Sequence, residues 1–306
     1  MTSVGGMELL RWDERPQLRR PALVAAFEGW NDAGNAASEA VAFLSREWAG
    51  EAFAAFDSEE LFDFTSSRPQ AKLEGGETRR LSWPELKLAK ASPPSVAHDV
   101  VFLSGPEPQL RWRSFADELR KTVGELGIDT AVLVGALLAD VPHTRPVRVS
   151  GGSTVPELAS RACVEPSYYE GPTGIVGVVS DLLAKAGIPT LSLWASVPHY
   201  VSQSVSPKAT LALVERTLSV IGGTANLAEL QISAAAYERQ VNELVASDED
   251  ASAYVKRLEE QDEEAHPSAH PSGRSFAGND TPRLSPASGE HLAAEAEHYL
   301  REHRRE

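Results

Sequence analysis

The chain offers few side chains with chemical reach, and they fall into four short strings. Glu28, Trp30, Asn31 and Asp32 form the first, Glu107 and Trp112 the second, His143, Thr144 and Arg145 the third, and His199 with Tyr200 the fourth. A guanidinium such as that of Arg145 can grip a phosphate or carboxylate at two points. An imidazole such as that of His143 or His199 can move a proton near neutral pH. Asp32 or Glu107 could hold a sugar hydroxyl or a base edge, and Trp30 and Trp112 could stack on a ligand or pack in an interface.

Each string also has a purely structural reading. Asn31 and Asp32 sit where a helix opens, so capping accounts for either. His143 and His199 each follow a proline, which fixes the backbone and leaves the ring free. Arg145 could pair with Glu107 or Asp140. Gly171, Pro172 and Gly174 could turn a helix N-terminus toward an anion or form a plain turn. Cys163 lies on an apolar helix face and is expected to be buried.

The elements that must position these residues can be read from hydropathy. Residues 22–27, 98–105, 130–138 and 188–197 are apolar runs, the mark of strands buried on both faces, and 51–57 is a further strand. Helices are expected over 31–48, 111–127, 173–187 and 207–223, three of them closed by glycine, with a short one over 154–163 that Thr154 could cap. Residues 79–83 and 85–91 flank Pro84 and read as an antiparallel excursion or sheet edge. Helices at 226–247 and 251–264 follow with no strand between them. Strands alternating with helices predict an α/β/α sandwich, three layers around a mostly parallel sheet. The expected organisation is an extension over 1–20, an α/β domain over 21–225, a helical appendage over 226–264 and a tail over 265–306. In such sheets ligands bind beyond the carboxyl ends of the strands, and all four strings follow strands.

The chain has 306 residues and a formal charge of −15. The last 60 residues hold 14 acidic and 7 basic side chains and carry nearly half of that charge. They also hold five of the eight histidines, read as solvated. Residues 265–290, rich in Pro, Ser and Gly, read as disordered, and 291–305 as helix-prone. An acidic balance argues against nucleic acid and against anionic membranes as partners. One cysteine excludes an internal disulfide and a Cys-based metal site. No membrane-length apolar window and no signal peptide are apparent, so a cytoplasmic protein is expected. No G-x-S-x-G, Walker A or H-E-x-x-H string occurs. No metal and no cofactor are expected.

Six strings in order, FEGWNDAGNAA (27–37), FDSEELFDF (56–64) with Arg68-Pro69, SGPEPQLRW (104–112), VPHTRPV (141–147), EGPTGIVG (170–177) and WASVPHY (194–200), resemble the actinobacterial branch of the proteasome assembly chaperone family, that of the second subunit of the eukaryotic heterodimeric chaperone. The resemblance runs from about Pro21 to about Glu264. It implies a fold like that of purine nucleoside phosphorylase and a non-enzymatic assembly or protein-interaction role. It further implies a homo-oligomer, with a trimer expected, and proteasome α-subunits as partners. It brings no established catalytic residues. Several relatives dock through a C-terminal hydrophobic-Tyr-any tripeptide. Here the final residues are His303-Arg304-Arg305-Glu306, and the nearest string, His298-Tyr299-Leu300, is internal, so docking by the tail is not expected. The competing expectation, by analogy of fold, is a nucleoside- or phosphate-binding protein or enzyme. It requires His143, Arg145, His199 and Glu107 in one open cleft, with Arg145 free of a carboxylate.

Overall fold

Among the described residues (9–74, 78–94 and 96–265 of a computed structural model), the chain begins with β1 (Leu10–Trp12) and β2 (Ala22–Glu28), followed by a 3-10 turn over Ala33–Asn35 and α1 (Ala36–Glu47). Next come β3 (Glu51–Phe56), the short α2 (Ser58–Leu61), a hairpin of β4 (Gln70–Glu74) and β5 (Thr78–Ser82), and β6 (Lys87–Ala91). β7 (Val100–Pro106), α3 (Trp112–Leu126), β8 (Thr130–Ala139) and β9 (Val149–Ser153) follow, then α4 (Pro156–Ala162) and β10 (Glu165–Pro166). The chain continues through α5 (Ile175–Lys185), β11 (Thr190–Pro198), α6 (Pro207–Ile221), α7 (Ala228–Ala246) and α8 (Glu249–Ala265). The expectations for 266–306 lie outside the described residues.

Nine strands form one sheet in the order β1-β3-β6-β7-β2-β8-β11-β9-β10. The four central strands, β7-β2-β8-β11, are mutually parallel. β6, β3 and β1 extend the sheet antiparallel on one side, and β9 joins antiparallel to β11 on the other. The parallel sheet expected from the apolar runs is therefore its centre, with antiparallel flanks. Residues 85–91 do not form an edge: β6 lies between β3 and β7. β4 and β5 pair only with each other.

Alternation within β2 explains why its run is apolar throughout. Val24 and Ala26 join a core with α1, α4 and α6 on one face of the sheet. Leu23, Ala25 and Phe27 join a second core with α3 and α5 on the other. Both sets are fully buried, so neither face of the strand tolerates a polar side chain. α7 and α8 bury Tyr237, Val241, Val255 and Leu258, and α7 packs on α6.

Two local expectations fail. Thr154 does not cap α4: its hydroxyl accepts from Thr190 N–H at 2.9 Å, and the N-cap position belongs to Val155. Cys163 is exposed, because it sits in the left-handed conformation just past the last turn of α4, off its buried face.

Candidate functional site

The carboxyl end of β2 does not run straight into a helix. Gly29 and Gly34 both adopt positive φ, and Gly34 breaks the helix expected from residue 31, so that α1 starts at Ala36. A side chain at Gly34 would also meet the Ser206 Cβ at 2.9 Å. The detour leaves Asn31 and Asp32 outside the helix but buried, at 1% and 5% exposure. Asp32 Oδ1 accepts from the N–H groups of Ala37 (2.8 Å) and Ser38 (3.1 Å), so it caps α1 from a distance. Burial nonetheless pushes its carboxyl up from the ordinary range, against the pull of these hydrogen bonds.

Asn31 serves the neighbouring strand. Its Nδ2 donates to Glu107 Oε1 at 2.8 Å, and the same oxygen accepts from Ile175 N–H at 2.7 Å. Glu107 thus places a carboxylate at the N-terminus of α5, where the helix dipole favours it. Gly174 permits this closeness, since a Cβ there would lie 2.3 Å from Asn31 Oδ1. The Glu28 carbonyl accepts from Glu107 N–H at 3.0 Å, tying the ends of β2 and β7 together, while its side chain is exposed. Beside this network stand two exposed apolar side chains, Trp30 at 59% and Leu110 at 44%. Trp112 turns inward instead: it opens α3, packs against the α3–α5 core, and its indole N–H donates to the Pro108 carbonyl.

The second set of strings gathers beneath α7 and α8. His143 is 3% exposed. Its backbone N–H donates to the Tyr200 hydroxyl (2.8 Å), its Nδ1 lies 2.7 Å from that same oxygen, and its Nε2 is 3.0 Å from Asn242 Oδ1 of α7. The arrangement fits a neutral ring that accepts the tyrosine proton at Nδ1 and donates from Nε2. Burial, assisted by Lys208, holds this imidazole below its ordinary pKa, and burial pushes the Tyr200 phenol up to about 12. His199 Nδ1 lies 2.9 Å from Asp140 Oδ1, and the Tyr254 hydroxyl of α8 donates to that oxygen at 3.2 Å. Tyr200, Tyr254 and the two imidazoles pack edge to face.

Arg145 pairs with neither Glu107 nor Asp140. Its partner is Glu263 of α8. Thr144 donates to Glu259, Arg148 pairs with Asp262, and Lys208 bridges the His143 carbonyl and Glu238 of α7. Arg148 and Lys208, Asn242 and Tyr254, and the acidic residues of α7 and α8 were not singled out from the sequence. Their only signal there was the acid-rich pattern of residues 259–264.

The four residues expected in one open cleft therefore serve two networks, and Arg145 is held by a carboxylate. The cavity lined by His143 and Arg145 measures about 20 Å³, room for about one water molecule. A drug-sized ligand needs roughly 300 Å³ or more. Among the described residues, no group of three or more His, Cys, Asp and Glu side chains could hold a metal ion. No helix among them is long and apolar enough to cross a membrane.

Comparison with known proteins bears on this arrangement. A PAC2 family protein from Streptomyces avermitilis is 49% identical, with a TM-score of 0.71, over 77% of this chain and 99% of its own. A proteasome-assembly chaperone homologue from Mycobacterium tuberculosis is 45% identical, with a TM-score of 0.70, over 76% of this chain and 99% of its own. An archaeal proteasome activator from Pyrococcus furiosus, at 17% identity and a TM-score of 0.62 over 78% of this chain and 99% of its own, shares the fold. No curated protein matches the chain. The model of the PAC2 family matches residues 26–245, a span that takes in the Asn31–Glu107 network and nearly all of α7 and ends before α8. The chain belongs to the PAC2 family.

Proposed function

We propose that this chain is a non-enzymatic assembly or interaction protein of the proteasome-assembly-chaperone type. It acts in the cytoplasm as a homo-oligomer, a trimer, and binds proteasome α-subunits. One observation carries the reading beyond family membership. At the ends of β2 and β7, where an enzyme of this architecture would have a pocket, the chain presents exposed Trp30 and Leu110 beside the hydrogen bonds that Glu107 accepts from Asn31 and Ile175. Exposed aromatic side chains with a rigid base are common anchors of protein interfaces. The net charge of −15 favours a basic partner face and a salt-dependent association rate.

The test is co-purification of the full chain with proteasome α-subunits at low salt, alongside Trp30→Ala. Retention of the subunits by the wild type is expected, with at least a tenfold loss of affinity for Trp30→Ala, the effect of removing an interface anchor of about 2 kcal/mol. Failure to retain any α-subunit at low salt overturns the partner assignment. Light scattering checks the assembly: three times the 33.0 kDa chain mass is expected, and a monomer overturns it.

A further inference from the structure

The hairpin of β4 and β5 hydrogen bonds only within itself, and none of its residues enters either core. Its register sets Ala71 opposite Leu81 and Leu73 opposite Arg79, so these four share one face, while Lys72 and Arg80 share the other. Leu73 is 62% exposed, and Leu81 and Trp83 are open as well, although the Trp83 ring meets Phe64 edge to face. A two-stranded hairpin is marginally stable in water, and an apolar face of this kind calls for a cover. Its charge narrows what that cover can be. Residues 68–83 hold four basic and two acidic side chains, so this stretch carries +2 while the rest of the chain carries −17.

The same chain holds a surface of opposite character. On α7, Ile232 is 69% exposed and Leu244 is exposed too. At 100° per residue they border an arc that contains the exposed Glu229, Gln240 and Glu243. Residues 228–265 hold eleven acidic and three basic side chains, and only three of those acids pair with Arg145, Arg148 and Lys208. The hairpin presents a cation among apolar side chains, and α7 presents acids between apolar borders. The hairpin leaves the sheet between β3 and β6, whereas α7 packs on α6, which lies over β8 and β11. Each surface therefore stays open within its own chain.

We propose that the β4–β5 hairpin of one copy docks on the outer face of α7 of the next, with Leu73, Leu81 and Trp83 against Ile232 and Leu244 and with Arg79 toward Glu229 and Glu243. Pairing hairpin with hairpin would bring like charges together, so the contact joins two different surfaces. Such a contact repeats head to tail and ends when a ring closes. The inference rests on the homo-oligomer proposed above and names the surfaces that build it.

The test is light scattering of the full chain and of two variants, Leu73→Ser with Leu81→Ser in the hairpin and Ile232→Ser with Leu244→Ser in α7. Circular dichroism establishes that each is folded, and a pair that is not is replaced by alanines at the same positions. The wild type is expected at three times the 33.0 kDa chain mass and each variant alone at one chain mass. Mixed in equal amounts, the two variants should form a particle of two chain masses. One keeps its α7 face and the other its hairpin, which leaves a single intact contact between them. A mixture that stays at one chain mass overturns the head-to-tail contact, and a variant that keeps the wild-type mass overturns the surface it alters. A monomeric wild type overturns the homo-oligomer itself and this contact with it. If the hairpin variant keeps the wild-type mass but no longer retains proteasome α-subunits, the hairpin faces that partner, and the contact between copies is overturned.

Discussion

Two networks occupy the same edge of one sheet, yet they are built on opposite principles. Around Glu107 a single carboxylate is shared by an amide side chain and a helix N-terminus, all from elements that contribute to the central sandwich. Around Arg145 and Arg148 the fold provides cations, and α8, more than a hundred residues later, brings the anions. In the first, each donor has one place to go, and removing the acceptor leaves a buried amide unsatisfied. In the second, the charged groups remain partly in water, where ion pairs are weak and exchangeable. A strand-end cluster is thus not a functional site by position alone. What distinguishes the two is whether the partners come from the sandwich itself, where Asn31 Oδ1 and Asp32 Oδ2 still stay buried without one, or from α7 and α8.

The comparison can be broken in order of expected effect. Glu107→Ala should cost about 2–3 kcal/mol in urea unfolding, since it strands both the Asn31 amide and the α5 N-terminus. A loss below about 0.5 kcal/mol would mean that water replaces the carboxylate and that the two networks are alike. Raising NaCl from about 0.05 M to about 1 M should leave exchange at Ile175 unchanged but speed it across α8, whose ion pairs are each worth about 0.2–1 kcal/mol. Equal responses in both places would remove the distinction. The smallest effect is a slope. Because the folded state holds His143 below its ordinary pKa, folding disfavours its proton. Its contribution is therefore intact above the unfolded histidine value of about 6.5 and is lost as pH falls below it. Denaturation across this range should show stability dropping on acidification, and His143→Gln should flatten the drop. A variant with the wild-type slope would place the titration elsewhere.

The sequence and the structure agree best where burial is two-sided. β2, β8 and β11 are legible because most residues of a central parallel strand alternate between two helix-covered cores. Gly127 marks the end of α3 by its left-handed φ of 65°. β9 was missed because Val149–Ser153 is small and polar and carries no apolar run; its pairing with β11 needs that lack of bulk, since a Cβ at Gly151 would lie 2.0 Å from the Ser192 carbonyl oxygen. The four strings were correctly placed at strand ends, but their partners were not legible. Arg145 and Glu263 are 118 residues apart, and nothing in the periodicity of α8 says against which surface it returns. The role of Asp32 was half visible: it caps α1, but across the Gly34 break rather than from the adjacent position.

That separation along the chain also sets an order in time. The contacts from Thr144, Arg145 and Arg148 to α8 span 115, 118 and 114 residues, and their acidic ends are synthesised after their donors. Contacts at such separation form late, because a long loop must close before they return any energy. The parallel centre of the sheet can assemble from residues up to 198 before Asp262 and Glu263 exist. In a newly made chain, the cations therefore meet the anions of the surrounding solution before they meet their own helix.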